Sequence, residues 1–172
     1  MRLVLICGIL LFNLGFAGCK GLAYKNLSEG MVPTIKVNDA FLTNPFEYSG
    51  HAVERFDMVL FEPPAANQRS GKEERWVKRV VGLPGERLSM KGGKVFINGD
   101  ELAQPFEKIE VPASNSSNGR DFPEIEIPAD EYFILGDNRP NSEDSRYFRP
   151  ATINKSKIFS KVTKILPGYY NK

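Results

Sequence analysis

Cysteine is nearly missing from this chain of 172 residues: there are two, Cys7 and Cys19. Both lie in the apolar N-terminal stretch, so the body that follows carries no thiol, which excludes a disulfide framework and a cysteine metal site there. Histidine is scarcer still. The single His51 excludes a multi-histidine metal centre, and a lone histidine in a polar loop reads as a solvated side chain. Charge of one sign is lacking as well. The 23 basic and 21 acidic residues are mixed along the chain and leave a net charge of +2, without the basic face that nucleic-acid binding needs. No metal or organic cofactor is implied, and any catalysis falls to Lys, Asp, Glu, Ser or Tyr. Helical periodicity is absent after residue 25, and no internal repeat is evident.

What remains is the composition of a β-rich domain. Apolar residues make up 41% of the chain, enough for a packed core, and the length fits one domain with room for a small lobe. Twelve prolines and fifteen glycines punctuate it, as many short strands require. Strands are expected at residues 57–61, 76–81, 94–97, 124–127, 132–135 and 157–166. Asn98-Gly99 is the strongest hairpin signal. Residues 70–74 and 115–120 read as polar surface loops without packing residues. The expected fold is all-β, a coiled antiparallel sheet or open barrel, with a small inserted lobe over residues 88–123.

The N-terminus reads as an address or an anchor. Met1-Arg2 supplies a positive start, Leu3 to Phe16 is apolar apart from Gly8, Asn13 and Gly15, and small residues follow. Residues 1–18 therefore have the layout of an export signal, and the run is shorter than the roughly 20 residues that comfortably span a bilayer. Phe16-Ala17-Gly18-Cys19 resembles a bacterial lipoprotein processing box with Cys19 as the lipidated residue. A lipid anchor, an uncleaved membrane anchor and plain secretion stay open. All three place residues 20–172 outside the cytoplasm, in the cell envelope.

Four segments carry a family resemblance. They are Ser28-Glu29-Gly30-Met31-Val32-Pro33-Thr34, Arg55-Phe56-Asp57-Met58-Val59-Leu60-Phe61, the run from Val77 through Lys78 to Gly82-Leu83-Pro84-Gly85-Glu86, and the run from Gly136-Asp137-Asn138-Arg139 to Ser142-Glu143-Asp144-Ser145-Arg146. In this order they resemble the type I signal peptidases, membrane-associated serine endopeptidases that remove signal peptides from secretory precursors. The resemblance implies that Lys78 is the general base, that Ser142 orients its amine, and that Ser28 donates its hydroxyl to an oxyanion hole together with the backbone N–H of position 30. Asp137, Asp144 and Arg146 match residues that buttress the site. Met31, Val77 and the stretch around Asn26 match the borders of pockets for small side chains. The partners implied are secretory precursors or other extended peptides, and a membrane.

The physical chemistry of the residues agrees. A hydroxyl is a poor nucleophile until a base takes its proton. Only about 0.04% of an ordinary lysine is neutral at pH 7, so a lysine base needs burial among apolar neighbours. Lys78 lies between Trp76-Val77 and Val80-Val81, and strand alternation turns Arg79 to the opposite side.

Departures from the pattern bear on mechanism. Gly30 stands where the nucleophilic serine is expected, and glycine has no atom to acylate. Leu27 replaces a proline, Phe56 replaces a glycine, and Pro140 replaces an acidic or polar residue. Three explanations for Gly30 stay open: a homologue that lost peptidase chemistry and binds peptides or a partner protein, an enzyme using Ser28 or a water held by Lys78, and a change introduced into an ordinary peptidase.

Overall fold

A computed structural model describes the backbone of residues 5–6 and 9–12, and residues 22–68, 74–104 and 121–169 in full. Among these residues there is no α-helix, only short 3-10 turns between thirteen strands. β1 (Leu5–Ile6), β2 (Ile9–Phe12), β3 (Leu22–Asn26), β4 (Ala40–Asn44), β5 (Met58–Phe61), β6 (Trp76–Gly82), β11 (Glu131–Leu135), β12 (Ile153–Asn154) and β13 (Ile158–Leu166) form one sheet in the order β1-β2-β3-β4-β13-β5-β6-β11-β12. The remaining strands, β7 (Arg87–Lys91), β8 (Lys94–Ile97), β9 (Asp100–Glu101) and β10 (Phe122–Glu126), form a second sheet in the order β10-β7-β8-β9. The result is a curled antiparallel half-barrel, as the sequence leads one to expect.

The long-range wiring of the large sheet decides where the site forms. β13 lies between β4 and β5, pairing Ile165 with Phe41 on one side and Lys161 with Val59 on the other. It joins the N-terminal strands to β5 and β6. One core cluster, with Tyr24, Met31, Ile35, Phe41, Leu60, Val77 and Val162, crosses this junction. A second cluster, including Val59, Phe61, Val80, Ile134 and Phe148, fills the space near β5, β6 and β11. A third packs Val81, Phe133 and Leu135 of the large sheet against Leu88, Met90, Val95 and Ile127 and so seats the second sheet. At that seam Gly82 has no room for a side chain. A β-carbon there would lie 2.3 Å from Ile127 Cδ1 and 3.0 Å from Phe133 Cβ.

Local sequence explains the turns. Asn98 and Gly99 adopt φ of 53° and 94°, and Ile97 pairs with Asp100 around them, the geometry of a two-residue hairpin. Phe56 adopts φ of 75°, a left-handed conformation that is strained for a bulky residue. Glycine, which the resemblance led one to expect here, adopts this conformation without that cost. Glu74 departs from expectation. Instead of ending an exposed polar loop it is buried and accepts a hydrogen bond from Nε1 of half-buried Trp76 at 3.0 Å, a partner for the indole N–H. The other loop residues, 70–73 and 115–120, lie outside the described residues, as do Cys7 and Cys19. His51 is exposed, with Nδ1 3.0 Å from Glu47 O.

Candidate active site

Three chain segments meet at one point. The first is the loop of residues 27–39 between β3 and β4. Its shape is set by Asn26, whose buried side-chain amide donates to the carbonyls of Ser28, Ile35 and Lys36 at 2.9, 3.1 and 3.0 Å. Asp39 Oδ2 accepts from Lys36 N at 2.9 Å, and Asn26 N donates to Asp39 O at 2.8 Å. Met31 and Ile35 are fully buried and anchor the loop in the core cluster beside Val77. Gly30 is thereby held against the sheet, buried, in a backbone conformation outside the left-handed region. Its conformation does not call for glycine.

The second segment is β6. Both its faces are covered: every residue from Val77 to Gly82 is buried. Lys78 is 5% exposed, and its Nζ donates to Val77 O at 3.2 Å. Burial pushes its amine below the ordinary lysine value, while the carboxylates of Asp144, Glu143 and Asp137 pull it back up, and burial wins.

The third segment follows β11. Gly136 N donates to Asp144 Oδ2 at 3.0 Å, and Asp144 forms a buried ion pair with Arg146, Nε to Oδ1 at 2.8 Å. The Arg146 guanidinium also donates to the carbonyls of Arg139 at 2.8 Å and Ser142 at 3.4 Å. These bonds brace the backbone around Ser142, whose hydroxyl is buried and has no hydrogen-bond partner among the described residues. Asn138 ties the segment to the first loop: its N–H donates to Gly30 O at 3.1 Å and its side-chain amide to Glu29 O at 3.0 Å.

The meeting point is where a side chain at position 30 would begin. An ideal β-carbon on Gly30 lies 3.1 Å from Lys78 Nζ, 3.6 Å from Ser142 Oγ and 3.7 Å from Lys78 Cε. A hydroxyl on that carbon would reach the amine as a nucleophile reaches its base. Three of the four residues expected to carry the chemistry, Gly30, Lys78 and Ser142, are therefore brought together. The fourth, Ser28, is exposed on the rim, where its hydroxyl donates to Asn26 Oδ1 at 3.4 Å. Met31 and Val77 are buried at 0% and 3% exposure in one core cluster, and Asn26 holds the loop through its carbonyls.

The supporting residues divide into two buried pairs. Asp144 and Arg146 brace the Ser142 loop. Asp137 instead holds Arg79, which donates through Nε and NH2 at 2.8 and 2.6 Å. Thr34 also donates to Asp137, at 2.5 Å, and Arg79 NH1 donates to Phe56 O at 2.8 Å. This network links all three segments. Arg79 and Thr34 lie in the motif segments, yet their types and spacing gave them no role. Gly136 is a further residue whose part emerges only in three dimensions. A β-carbon there would fall 2.1 Å from Ser142 Oγ and 2.4 Å from Gly30 O, so only glycine permits the close approach. Among the described residues no cluster of His, Cys, Asp or Glu is suited to hold a metal ion, and no helix is long and apolar enough to cross a membrane.

Comparison with known proteins agrees with this geometry. The profile of the family described as "Signal peptidase, peptidase S26" matches residues 1–166. The chain is 38% identical over 123 residues to a signal peptidase I of Leptolyngbya laminosa, covering 70% of this chain and 57% of that one. It is 34% identical over 134 residues to signal peptidase I V of Bacillus subtilis, covering 74% of this chain and 76% of that one. It thus spans little more than half the length of the cyanobacterial relatives, 57% and 52% for two of them, and about three-quarters of the Bacillus protein. The crystal structure of a signal peptidase I from Enterococcus faecalis superposes with a TM-score of 0.54 at 30% identity, covering 66% of this chain and 98% of that one. The profile, the relatives and the half-barrel converge: this chain belongs to the signal peptidase family, peptidase S26.

Proposed function

We propose that this chain is a signal peptidase I-type domain that recognises the signal peptides of exported precursor proteins at the extracytoplasmic face of a membrane. Its peptide cleft and general base are retained, and its acyl-serine step is closed by Gly30. The observation that carries the reading is the 3.1 Å between the β-carbon position of residue 30 and Lys78 Nζ. A buried amine whose pKa is lowered by burial stands against the place where a side chain at position 30 would begin. In the family's chemistry a serine hydroxyl at position 30 loses its proton to the lysine and attacks the scissile carbonyl. The backbone N–H of that position, with Ser28, receives the developing oxyanion. Glycine supplies that N–H as serine would. The substrate would lie extended beside the cleft, adding a strand.

Gly30 itself favours a second reading, a catalytically inactive homologue that holds extended peptides or a partner protein. The two readings separate in a cleavage assay on a signal-peptide substrate. Gly30→Ser should raise turnover by up to about 10⁶-fold, the scale on which a nucleophile is worth its place in a serine protease, and Lys78→Ala in that background should abolish it. A folded Gly30→Ser variant that binds the peptide and stays inert would leave the binding reading standing and reject the peptidase one.

A further inference from the structure

We infer that the cleft is occupied by the chain itself: the outer edge of β3 docks an extended apolar segment, and residues 9–12, inside the stretch with the layout of an export signal, are its resident partner. This rests on the reading of the cleft as a peptide site and names what fills it.

Two main-chain edges flank the point where Gly30 meets Lys78. β3 runs directly into the loop that carries Gly30, and one of its edges pairs with β4. β6 pairs with β5 from Trp76 to Arg79, but β11 reaches it only at Arg79, Val80 and Gly82. Among the described strands, Trp76, Val77 and Lys78 therefore have a ladder partner on one side only. Tyr24 of β3 and Val77 of β6 share a core cluster across the curl of the sheet. An extended peptide that crosses the site has these two edges to pair with.

The β3 edge is already taken. Asn26 N donates to Asp39 O and Asn26 O accepts from Asn38 N, both at 2.8 Å, so the main-chain groups of Asn26 face the β4 side. Alternation along the strand turns the N–H and C=O of Ala23 and Lys25 the other way. β2 lies there, with Leu10 opposite Lys25 and Phe12 opposite Ala23. These are the pairs of an antiparallel ladder that exchange both hydrogen bonds. Without β2, two donors and two acceptors of β3 would stand bare beside the cleft.

A tether favours this partner over others. Residues 13–21 join Phe12 to Leu22, so β2 acts at an effective concentration on the order of mM and outcompetes a peptide offered at micromolar concentration. Ala17 and Gly18, the small residues at which the export-signal layout ends, fall within that tether. Loss of residues 1–18 takes β2 away and opens the edge.

The test uses the full chain, a fluorescent peptide with the sequence of residues 9–18, and amide exchange followed by NMR. In the unsubstituted chain the N–H groups of Ala23 and Lys25 should be as protected as those of Tyr24 and Asn26. Proline has no N–H to give, so Leu10→Pro and Phe12→Pro together should remove the protection of Ala23 and Lys25 and tighten peptide binding by about 10²-fold. Leu11→Pro, whose lost N–H points away from β3, should remove less of it. Free exchange at Ala23 and Lys25 in the unsubstituted chain would overturn the inference whatever the variants do. Protection that survives the double substitution, or that Leu11→Pro removes more completely, would overturn it too. Equal peptide affinity of the unsubstituted chain and the double variant would overturn it and spare the peptide cleft. No binding by the double variant, with Ala23 and Lys25 bared and β13 still protected, would reject the cleft as a peptide site and the inference with it.

Discussion

Replacing Lys78 with methionine tests the central electrostatic feature without any substrate. Methionine is unbranched and of similar length, so it fills much the same space; it removes the titration and the hydrogen bond to Val77 O, of which only the titration varies with pH. The sign follows from linkage. Burial depresses the folded-state pKa of Lys78 below its unfolded value of about 10.4. Below both values the lysine is protonated in both states and folding carries the full penalty of a buried charge. Between them the unfolded chain binds a proton that the folded chain has released, so stability climbs by about 1.4 kcal/mol per pH unit. Above about 10.4 the penalty is gone. Lys78→Met should therefore be the more stable protein at low pH. Its advantage should shrink at that slope as pH rises through the window, then level off. For a chain of this size 1 kcal/mol is about 2–4 °C in Tm, so thermal melts of both proteins at half-unit steps resolve the convergence. Subtracting the two curves cancels the tyrosines and surface lysines that titrate in the same range. Parallel curves would show that Lys78 titrates normally, and its role as base would go with them.

Asp137→Ala should cost about 3–5 kcal/mol, because it strands the charge of Arg79 in the interior. Chemical denaturation measures this, and a loss under 1 kcal/mol would mean that the Thr34–Asp137–Arg79 network does not tie the segments together. At Gly82 an added methyl meets Phe133 Cβ, which belongs to the sheet and cannot swing away. Gly82→Ala should thus destabilise by about 1–3 kcal/mol, read in the same way. At position 56, glycine and alanine both lack the ring, so comparing them isolates the backbone. Phe56→Gly should be more stable than Phe56→Ala by about 1 kcal/mol, and the reverse order would refute the left-handed strain.

Strands whose apolar residues are continuous or end at strong punctuation were legible in the sequence. Residues 94–97 are predicted and found as a strand, and 157–166 is found as β13, Ile158–Leu166. β3, β4 and β7 were not, since Leu22–Asn26, Ala40–Asn44 and Arg87–Lys91 are short and mix polar residues into their runs. The motifs named Gly30, Lys78 and Ser142, and these do converge. Arg79 shows why the rest was hidden. Alternation turns it away from Lys78, but alternation separates core from solvent only when one face of a strand is wet. Both faces of β6 are covered, so its second face holds an ion pair. Gly136 was hidden for another reason. Its importance is a distance to Gly30 O, and residues 106 positions apart reveal no distance.

The placement of β13 governs the order in which the site can come into being. Gly30 belongs to the part of the chain made first, Lys78 to the middle, and the strand that lies between their neighbours, β4 and β5, is made last of those described. A nascent chain lacking it would hold the two halves of the cleft as separate, unsealed sheet edges. The amine therefore depends, for its seat opposite position 30, on the strand that synthesis supplies last of those described, Ile158–Leu166.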